Sequence, residues 1–212
     1  PLGIYAGYKP ESKTSKIIMG SSILGFSMPT FWVGIIFIMI FAVHLGWLPS
    51  TGRGDIGTFL GINSSLFTLN GLSHVFLPAL NLALFKISSV IRLTRAGTRE
   101  IILQDYITFA RSKGLSEKRI VLVHILKNIL IPIVTVVGLE FGSLIAFSTV
   151  TETVFAWPGM GKLIIDSIYN LDRPVIVAYL MIIVTFFVFL NLIVDILYTF
   201  LDPRVRIKGD SQ

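Results

Sequence analysis

Residues 177–194 read VAYLMIIVTFFVFLNLIV and contain no formally charged side chain. An α-helix needs about 20 mostly apolar residues to cross the hydrocarbon core of a bilayer, so this run predicts a membrane span over 175–200. The composition of the 212-residue chain agrees, because 53% of its residues are hydrophobic, only 14% are charged and the mean hydropathy is +0.80. Soluble domains carry about a quarter charged residues. A soluble domain and a disordered chain are therefore both excluded, and we expect an all-α integral membrane protein.

Three further apolar stretches predict membrane spans. The first, at 17–45, carries no formal charge and ends before Trp47, an aromatic residue suited to the membrane interface. The second is placed at 74–95 and the third at 121–150. The opening residues 1–13, PLGIYAGYKPESK, form an apolar stub that runs into charge, which we interpret as the end of a preceding helix whose beginning has been cut away. The predicted architecture is a polytopic helical bundle of four full spans plus the end of an earlier one.

The basic residues predict which side of the membrane each connection occupies. Cytoplasmic loops are enriched in Lys and Arg, and most of the 18 here fall in three groups, at the start, between the second and third spans, and at the C-terminus. These predicted cytoplasmic residues are Lys9, Lys13, Lys16, Arg92, Arg95, Arg99, Arg111, Lys113, Lys118, Arg119, Arg204, Arg206 and Lys208. The loops 46–73 and 151–174 contain few basic residues and are predicted to be external. The net charge of +6 is thus assigned to membrane orientation and contact with lipid, not to nucleic-acid binding.

The external segment 151–174 combines a turn with a short amphipathic helix. Its residues 155–161 read FAWPGMG. A tight turn is expected at Pro158 and Gly159, because proline fixes φ and glycine accepts positive φ. The residues that follow, 162–170, predict a short helix at the outer membrane face. Two interpretations stay open for this helix, an ordinary surface element and an element that receives substrate.

The cytoplasmic segment 97–120 has the pattern of two short helices. Gly114 comes where the end of a helix favours a left-handed residue, and Ser116 and Glu117 have the character of an N-cap and an acidic first turn. The residues that recur at helical spacing before the glycine are Ile101, Ile102, Asp105, Tyr106, Phe109, Ala110 and Lys113. The pattern is compatible both with docking into a groove on another protein and with a plain amphipathic surface helix.

Three runs of sequence resemble one family of membrane proteins. They are DYITFARSKGLSEKRIVLVHILKNILIP at 105–132, ETVFAWPGMGKLIIDSI at 152–168 and NLIVDILYTFLDPRVR at 191–206. They are similar to permease subunits of ABC importers of the dipeptide, oligopeptide and nickel class, and specifically to the subunit type that contains FAWPG. The resemblance implies the fold of a type I, methionine-importer-like transmembrane domain and a multi-pass location in the inner, or cytoplasmic, membrane.

The resemblance also implies a function and a set of partners. A chain of this type is expected to be a permease subunit of an ATP-driven peptide importer, and to form the path with a homologous second permease. Two cytoplasmic ABC ATPases drive such an importer, and an extracytoplasmic binding protein delivers the substrate. Since ATP hydrolysis occurs on the ATPase subunits, this chain is not expected to be an enzyme. An importer of nickel or another small solute is the alternative within the class.

The resemblance places an ATPase-coupling loop within the cytoplasmic segment. The general ABC-importer pattern has Glu-Ala-Ala, three residues and Gly; here Thr108 and Phe109 occupy the first two positions, and only Ala110 and Gly114 match. That departure is typical of the peptide class. Carried over residue by residue, the coupling loop comprises Asp105, Tyr106, Ala110, Arg111, Lys113, Gly114, Leu115 and Ser116.

Of the ionisable residues inside predicted spans, Lys86, Glu140 and Asp195 are the candidates for the path or for pairing within the membrane, whereas Arg92 and Arg95 lie near the cytoplasmic end and can extend to the interface. A charge within the membrane is expensive and by default indicates function. Lys86 and Glu140 have opposite signs, so they either pair with each other or hold the two ends of a zwitterionic peptide in the path. Pairing is the more economical arrangement, because an unpaired buried charge costs about 3–5 kcal/mol. Asp195 is expected to pair with Lys127 or Arg92.

No catalytic, metal or cofactor site is predicted. His44, His74 and His124 lie in three separate segments without metal-ligand spacing, and the chain has no GxxxxGK[ST] phosphate loop. The competing functional class is a secondary transporter or channel that works without ATP and uses the intramembrane charges as an ion or proton relay. Inverted internal repeats would favour that class, and the sequence shows none.

Overall fold

The structure, a computed structural model, describes residues 1–201 apart from the side chains at 139, 146, 198, 200 and 201. The predicted cytoplasmic residues Arg204, Arg206 and Lys208 lie outside this range. The long helices are α4 (Leu69–Ile102), α7 (Leu126–Val154) and α9 (Arg173–Leu201). The shorter helices are α1 (Leu2–Tyr8), α2 (Lys13–Ser27), α3 (Thr30–Phe37), α5 (Asp105–Ser112), α6 (Glu117–Arg119) and α8 (Met160–Tyr169).

Within residues 1–201, three helical stretches are long and apolar enough to cross a membrane: Leu69–Ile102, Glu117–Ile145 and Arg173–Leu197. π-Helical turns at Ile38–His44 and Ile120–Ile125 extend α3 and precede α7. The helices around the second and third predicted spans are longer than expected, and α4 continues to Ile102, into the predicted cytoplasmic segment 97–120. The additional helical residues lie beyond the apolar run on which each predicted span was based.

The predicted first span, 17–45, is not one continuous helix. α2 ends at Ser27 and α3 begins at Thr30, so this stretch counts as a fourth span only if the two helices together form one bent span. The cause is Pro29, whose backbone is extended at φ −59° and ψ 137°. Proline lacks the amide hydrogen that would bond to the preceding turn, and it disfavours helical backbone in the residue before it.

A small β-hairpin lies in the predicted external loop 46–73 and was not foreseen from the sequence. Strand β1 (Gly57–Phe59) pairs antiparallel with β2 (Ile62–Ser64), with Gly57 opposite Ser64. The turn residues Leu60 and Gly61 have φ angles of +51° and +81°. Positive φ at both central positions is the type I′ geometry that matches the twist of a two-residue hairpin.

The described part of the chain divides into two compact units. Unit 1 comprises Pro1–Phe26, Ile87–Phe141 and the described residues 187–201, and unit 2 comprises Ser27–Lys86 and Gly142–Phe186. Unit 1 therefore holds the predicted coupling loop. Unit 2 holds the hairpin and α8.

Small residues allow close helix packing in unit 1. A Cβ added to Gly3 would lie 2.6 Å from Cβ of Thr94, and one added to Gly7 would lie 2.6 Å from Cβ of Thr98. The two glycines are four residues apart on α1, and Thr94 and Thr98 have the same spacing on α4. Membrane helices commonly pack through such small-xxx-small stripes, because small residues let the backbones approach.

We expect Gly7→Ala to lower the stability of the protein by about 1–3 kcal/mol, since the new methyl group would overlap Thr98 and the carbonyl oxygen of Arg95 at 2.8 Å. Gly20→Ala is the matched control. Gly20 lies in α2 with nothing within 4 Å of an added Cβ, so alanine there should be neutral or slightly stabilising. Thermal unfolding of both variants in the same detergent measures the difference; equal melting temperatures would contradict the packing argument.

Candidate functional site

The turn predicted at Gly114 and the short helix before it, α5, are present in unit 1, whereas the second predicted short helix is not separate, because α6 begins a continuous helical stretch over Glu117–Ile145. α5 ends at Ser112, Gly114 has φ +75°, and α6 begins at Glu117. The amide of Gly114 donates to the carbonyl of Arg111 at 2.9 Å. Ser116 occupies the N-cap position of α6, but its hydroxyl makes no capping hydrogen bond. The turn is therefore stabilised by backbone geometry and not by the predicted side-chain cap.

A compact apolar core supports this element from one side. Two residues of α5, Ile107 and Ala110, are buried, and Leu115 packs against the same cluster. The other fully buried members are Ile120, Ile125 and Ile129. Burial of one large aliphatic side chain stabilises the folded state by about 1.5–3 kcal/mol, so this core fixes the position of α5.

The opposite face of α5 is exposed and carries aromatic and basic side chains. Phe109 is 60% exposed and Tyr106 is 42% exposed. The ammonium of Lys113 lies 4.5 Å from the centroid of the Phe109 ring, while the Tyr106 hydroxyl accepts a hydrogen bond from Asn128 at 3.2 Å. Burial raises the pKa of the Tyr106 phenol, so this group stays neutral at physiological pH. Asp105, in the first turn of α5, is also exposed.

A hydrogen-bonded triad links the start of the chain to the residues on either side of the Gly114 turn. Arg111 Nε donates to Glu117 Oε1 at 3.0 Å, and the hydroxyl of Tyr8 donates to Glu117 Oε2. The hydrogen bond to Glu117 raises the pKa of Arg111, so the guanidinium remains charged. Sequence reasoning missed Tyr8 and Glu117 as members of this site, because 109 positions separate them and no local pattern connects them.

The three intramembrane charges have different surroundings. Lys86 donates to the Ser143 hydroxyl, and its ammonium lies 5.5 Å and 5.6 Å from the ring centroids of Phe85 and Phe147, all within unit 2. Glu140 is half-buried on α7. The pairing of Lys86 with Glu140 remains a prediction.

The expected ion pair of Asp195 is not formed within residues 1–201. Asp195 is exposed on α9, and neither Lys127 nor Arg92 forms a salt bridge with it. The guanidinium of Arg92 instead lies 4.0 Å from the centroid of the Phe26 ring. A cation over an aromatic face is attracted by the ring quadrupole, so the contact with Phe26 stabilises Arg92.

The FAWPG turn of unit 2 has a different geometry from the one predicted. The left-handed residue is Ala156, at φ +46°, whereas Gly159 has φ −109°. Gly159 instead lies against the side chain of Glu152, since a Cβ there would lie 2.4 Å from the Glu152 carboxyl carbon. The predicted helix at 162–170 is confirmed as α8, which begins slightly earlier, at Met160.

Glu152 holds the turn and the first turn of α8 together. Its carbonyl accepts from the amide of Trp157 at 2.8 Å, and its side-chain Oε2 accepts from the amide of Lys162 at 2.9 Å. A carboxylate at the amino end of a helix is favoured by the helix dipole and satisfies an otherwise unpaired N–H group. Glu152 was not singled out from the sequence, since a glutamate near a helix end has no distinctive pattern.

The family assignment follows from the match of nearly the whole chain. Residues 1–207 match the family described as the binding-protein-dependent transport system inner membrane component. The chain belongs to this family. With several helices long and apolar enough to span a bilayer, this inner membrane component is a multi-pass membrane protein.

Curated relatives of this inner membrane component carry names of peptide transport systems. The chain is 41% identical to the di/tripeptide transport system permease of Pseudomonas aeruginosa, over 96% of this chain and 64% of the relative. It is 35% identical to the dipeptide permease of Escherichia coli, over 98% and 66%, and 40% identical to the oligopeptide permease of Bacillus subtilis, over 97% and 63%. The chain thus spans a little under two thirds of the length of these relatives.

The fold is similar to that of a solved ABC transporter. A chain of the MetNI methionine transporter in an inward-facing conformation superposes with a TM-score of 0.67, covering 95% of this chain and 85% of that one. At 16% sequence identity this likeness concerns the fold. It confirms the predicted type I, methionine-importer-like transmembrane architecture.

Proposed function

We propose that the chain forms part of the translocation path of an ATP-driven importer for dipeptides and oligopeptides, together with a homologous second permease. Two cytoplasmic ABC ATPases drive the cycle, and an extracytoplasmic binding protein delivers the peptide. The names of the relatives, at 35–41% identity, support the peptide class. ATP hydrolysis belongs to the ATPase subunits, so this chain contributes the path and its movement but no chemistry.

The observation that carries the coupling role is the exposed face of α5 on its buried core. Phe109 and Tyr106 offer apolar area to a partner, and Lys113 adds positive charge beside Phe109. Aromatic and arginine side chains are enriched at the centres of protein interfaces. Ile107 and Ala110 pack α5 against the buried core. A force that a partner applies to the exposed face is therefore transmitted to the packed helices and does not merely bend a loop. Rigid-body transfer of this kind is how transporters convert closure of one subunit into movement of another.

Co-purification of the protein from its native membranes tests the proposal. Recovery of a second permease and two ATPase subunits, with dipeptide uptake in proteoliposomes that needs both ATP and the binding protein, would support it. Recovery of the protein alone, still moving solute without ATP, would refute it and favour a secondary transporter or channel.

Lys86 is proposed to have a structural role. We expect Lys86→Met to retain uptake with an unchanged range of peptides, because methionine fills the space between Phe85 and Phe147 and makes favourable sulfur–aromatic contacts. Uptake of a panel of dipeptides with acidic, neutral and basic residues measures the range. Selective loss of one charge class in this variant, with normal membrane insertion, would instead assign Lys86 to substrate binding.

A further inference from the structure

Two cavities in unit 2 meet at the side chains of Glu152 and Ser148. One has a volume of about 240 Å³ and is walled by Pro78 and Leu82 of α4 and by Trp157. The other, of about 270 Å³, is walled by Tyr179 and Phe186 of α9. Glu152 and Ser148 line both cavities, since they lie one helical turn apart on α7.

Glu152 brings an available carboxylate oxygen to this junction. Its Oε2 accepts from the amide of Lys162 at 2.9 Å, while Oε1 accepts no hydrogen bond from the described residues. The Ser148 hydroxyl donates its hydrogen to the carbonyl of Ile145 at 2.7 Å, which leaves the oxygen as an acceptor. Glu152 and Ser148 therefore present acceptors at the junction, whereas the cavity walls contribute the neutral donor side chains of Tyr179 and Trp157.

A buried side-chain amide beside the first cavity also has an unsatisfied acceptor. Asn81 is 2% exposed, and its Nδ2 donates to the hydroxyl of Thr151, a cavity-lining residue, at 3.3 Å. Its Oδ1 is buried without a hydrogen-bond partner among the described residues. No lysine, arginine or histidine is among the described residues that line either cavity. The local polar groups thus favour a positively charged donor over an anion.

We propose that this junction binds the primary ammonium of a substrate, with Glu152 Oε1 and Ser148 Oγ as acceptors. An ammonium has three N–H donors, which suits several converging oxygens. The flanking cavities are lined mainly by apolar side chains, so they suit the side chains of a short peptide. The proposal rests on the proposed function and adds a residue that recognises the free amino terminus of the peptide.

The decisive variant is Glu152→Gln, because glutamine removes the charge but keeps an oxygen that can accept from the Lys162 amide. Asp166→Asn is the matched control. Asp166 is an exposed acid of the same segment, paired with Lys162 at 3.7 Å, and lines neither cavity at the junction. A third variant, Gly159→Ala, keeps the carboxylate but displaces it, since the added methyl group would lie within 2.6 Å of both its oxygens.

The experiment measures equilibrium binding of dialanine and N-acetyl-dialanine to the purified transporter complex in lipid nanodiscs, without the binding protein. Wild type and Asp166→Asn should bind dialanine about tenfold or more tightly than its acetylated form, the size expected of one charge-assisted hydrogen bond. Glu152→Gln should bring the two affinities within about twofold, and Gly159→Ala should weaken dialanine binding. An unchanged preference in Glu152→Gln, or no preference in wild type, would overturn the site.

ATP-driven uptake with the binding protein present separates this inference from the proposed function. If the wild-type complex does not take up dipeptides at all, the proposed function fails. If it takes them up and Glu152→Gln keeps the wild-type preference for dialanine in the nanodisc measurement, the function stands and only the ammonium site is refuted. Equal melting temperatures for wild type and Glu152→Gln would verify that the variant complex is folded.

Discussion

Replacing Gly114 by proline is expected to abolish ATP-driven uptake while leaving the protein inserted in the membrane. Gly114 has φ +75°, a region that proline cannot enter because its ring fixes φ near −65°. Proline would also remove the N–H group that donates to the carbonyl of Arg111 at 2.9 Å. The junction of α5 and α6 must then rearrange, and the exposed face of α5 loses its fixed orientation. We expect at least a tenfold fall in uptake.

Uptake and ATP hydrolysis measured on the same reconstituted complex test this prediction. Gly114→Ala is the control, because no atom lies within 4 Å of an added Cβ and the left-handed backbone costs a non-glycine residue only about 1–2 kcal/mol. That variant should insert, assemble and transport at a rate close to wild type. Full uptake by Gly114→Pro would refute the assignment of this element to coupling, whatever its effect on stability.

Local sequence predicted the turn at Gly114 because its signals are local. Glycine after a run of helical spacing indicated the left-handed junction, and the apolar run with few charges indicated the long helices α4 and α9. These rules depend on one or two neighbouring residues or on the thickness of the bilayer. The same reasoning was less accurate at Ser116. A side-chain N-cap was predicted there, but the Ser116 hydroxyl makes no capping hydrogen bond.

Features built from distant residues could not be predicted in this way. Tyr8 meets Glu117 only after α1 has packed beside α4 through Gly3 and Gly7, and no periodicity in the sequence records that contact. The hairpin turn at Leu60 and Gly61 escaped notice because Leu60 is an unusual residue at positive φ. Such contacts depend on tertiary packing and not on local sequence patterns.

Pro29 and Glu152 show two further limits of sequence reasoning. A proline within 17–45 could signal either a kink or a full break, and the structure shows that the helix ends before it and restarts after it. The FAWPG turn was predicted from the conformational freedom of Gly159, but the structure uses that glycine for space beside a carboxylate. The position of the turn was therefore predicted correctly, but the reason given for Gly159 was wrong. That glycine lies against the side chain of Glu152, and the sequence alone does not show this contact.

The two glycines of the WPGMG sequence are expected to separate stability from ligand binding. A Cβ on Gly161 would lie 2.5 Å from Oγ1 and 2.6 Å from Cα of Thr149, and the backbone of α7 cannot move aside. Gly161→Ala should therefore push α8 away from α7 and lower stability by about 1–3 kcal/mol. In Gly159→Ala the added methyl group meets only the flexible end of Glu152, so we expect a smaller loss of stability.

Thermal unfolding of the two variants in the same detergent, beside the dialanine titration, measures both effects. Gly161→Ala should have the lower melting temperature. Gly159→Ala should remain close to wild type in melting temperature and yet bind dialanine more weakly, because its carboxylate is displaced from Ser148. The two variants differ in stability and in binding because backbone of Thr149 lies against Gly161, whereas the movable side chain of Glu152 lies against Gly159. If both variants lost stability equally and binding followed stability, Glu152 would be a structural brace for α8 and nothing more.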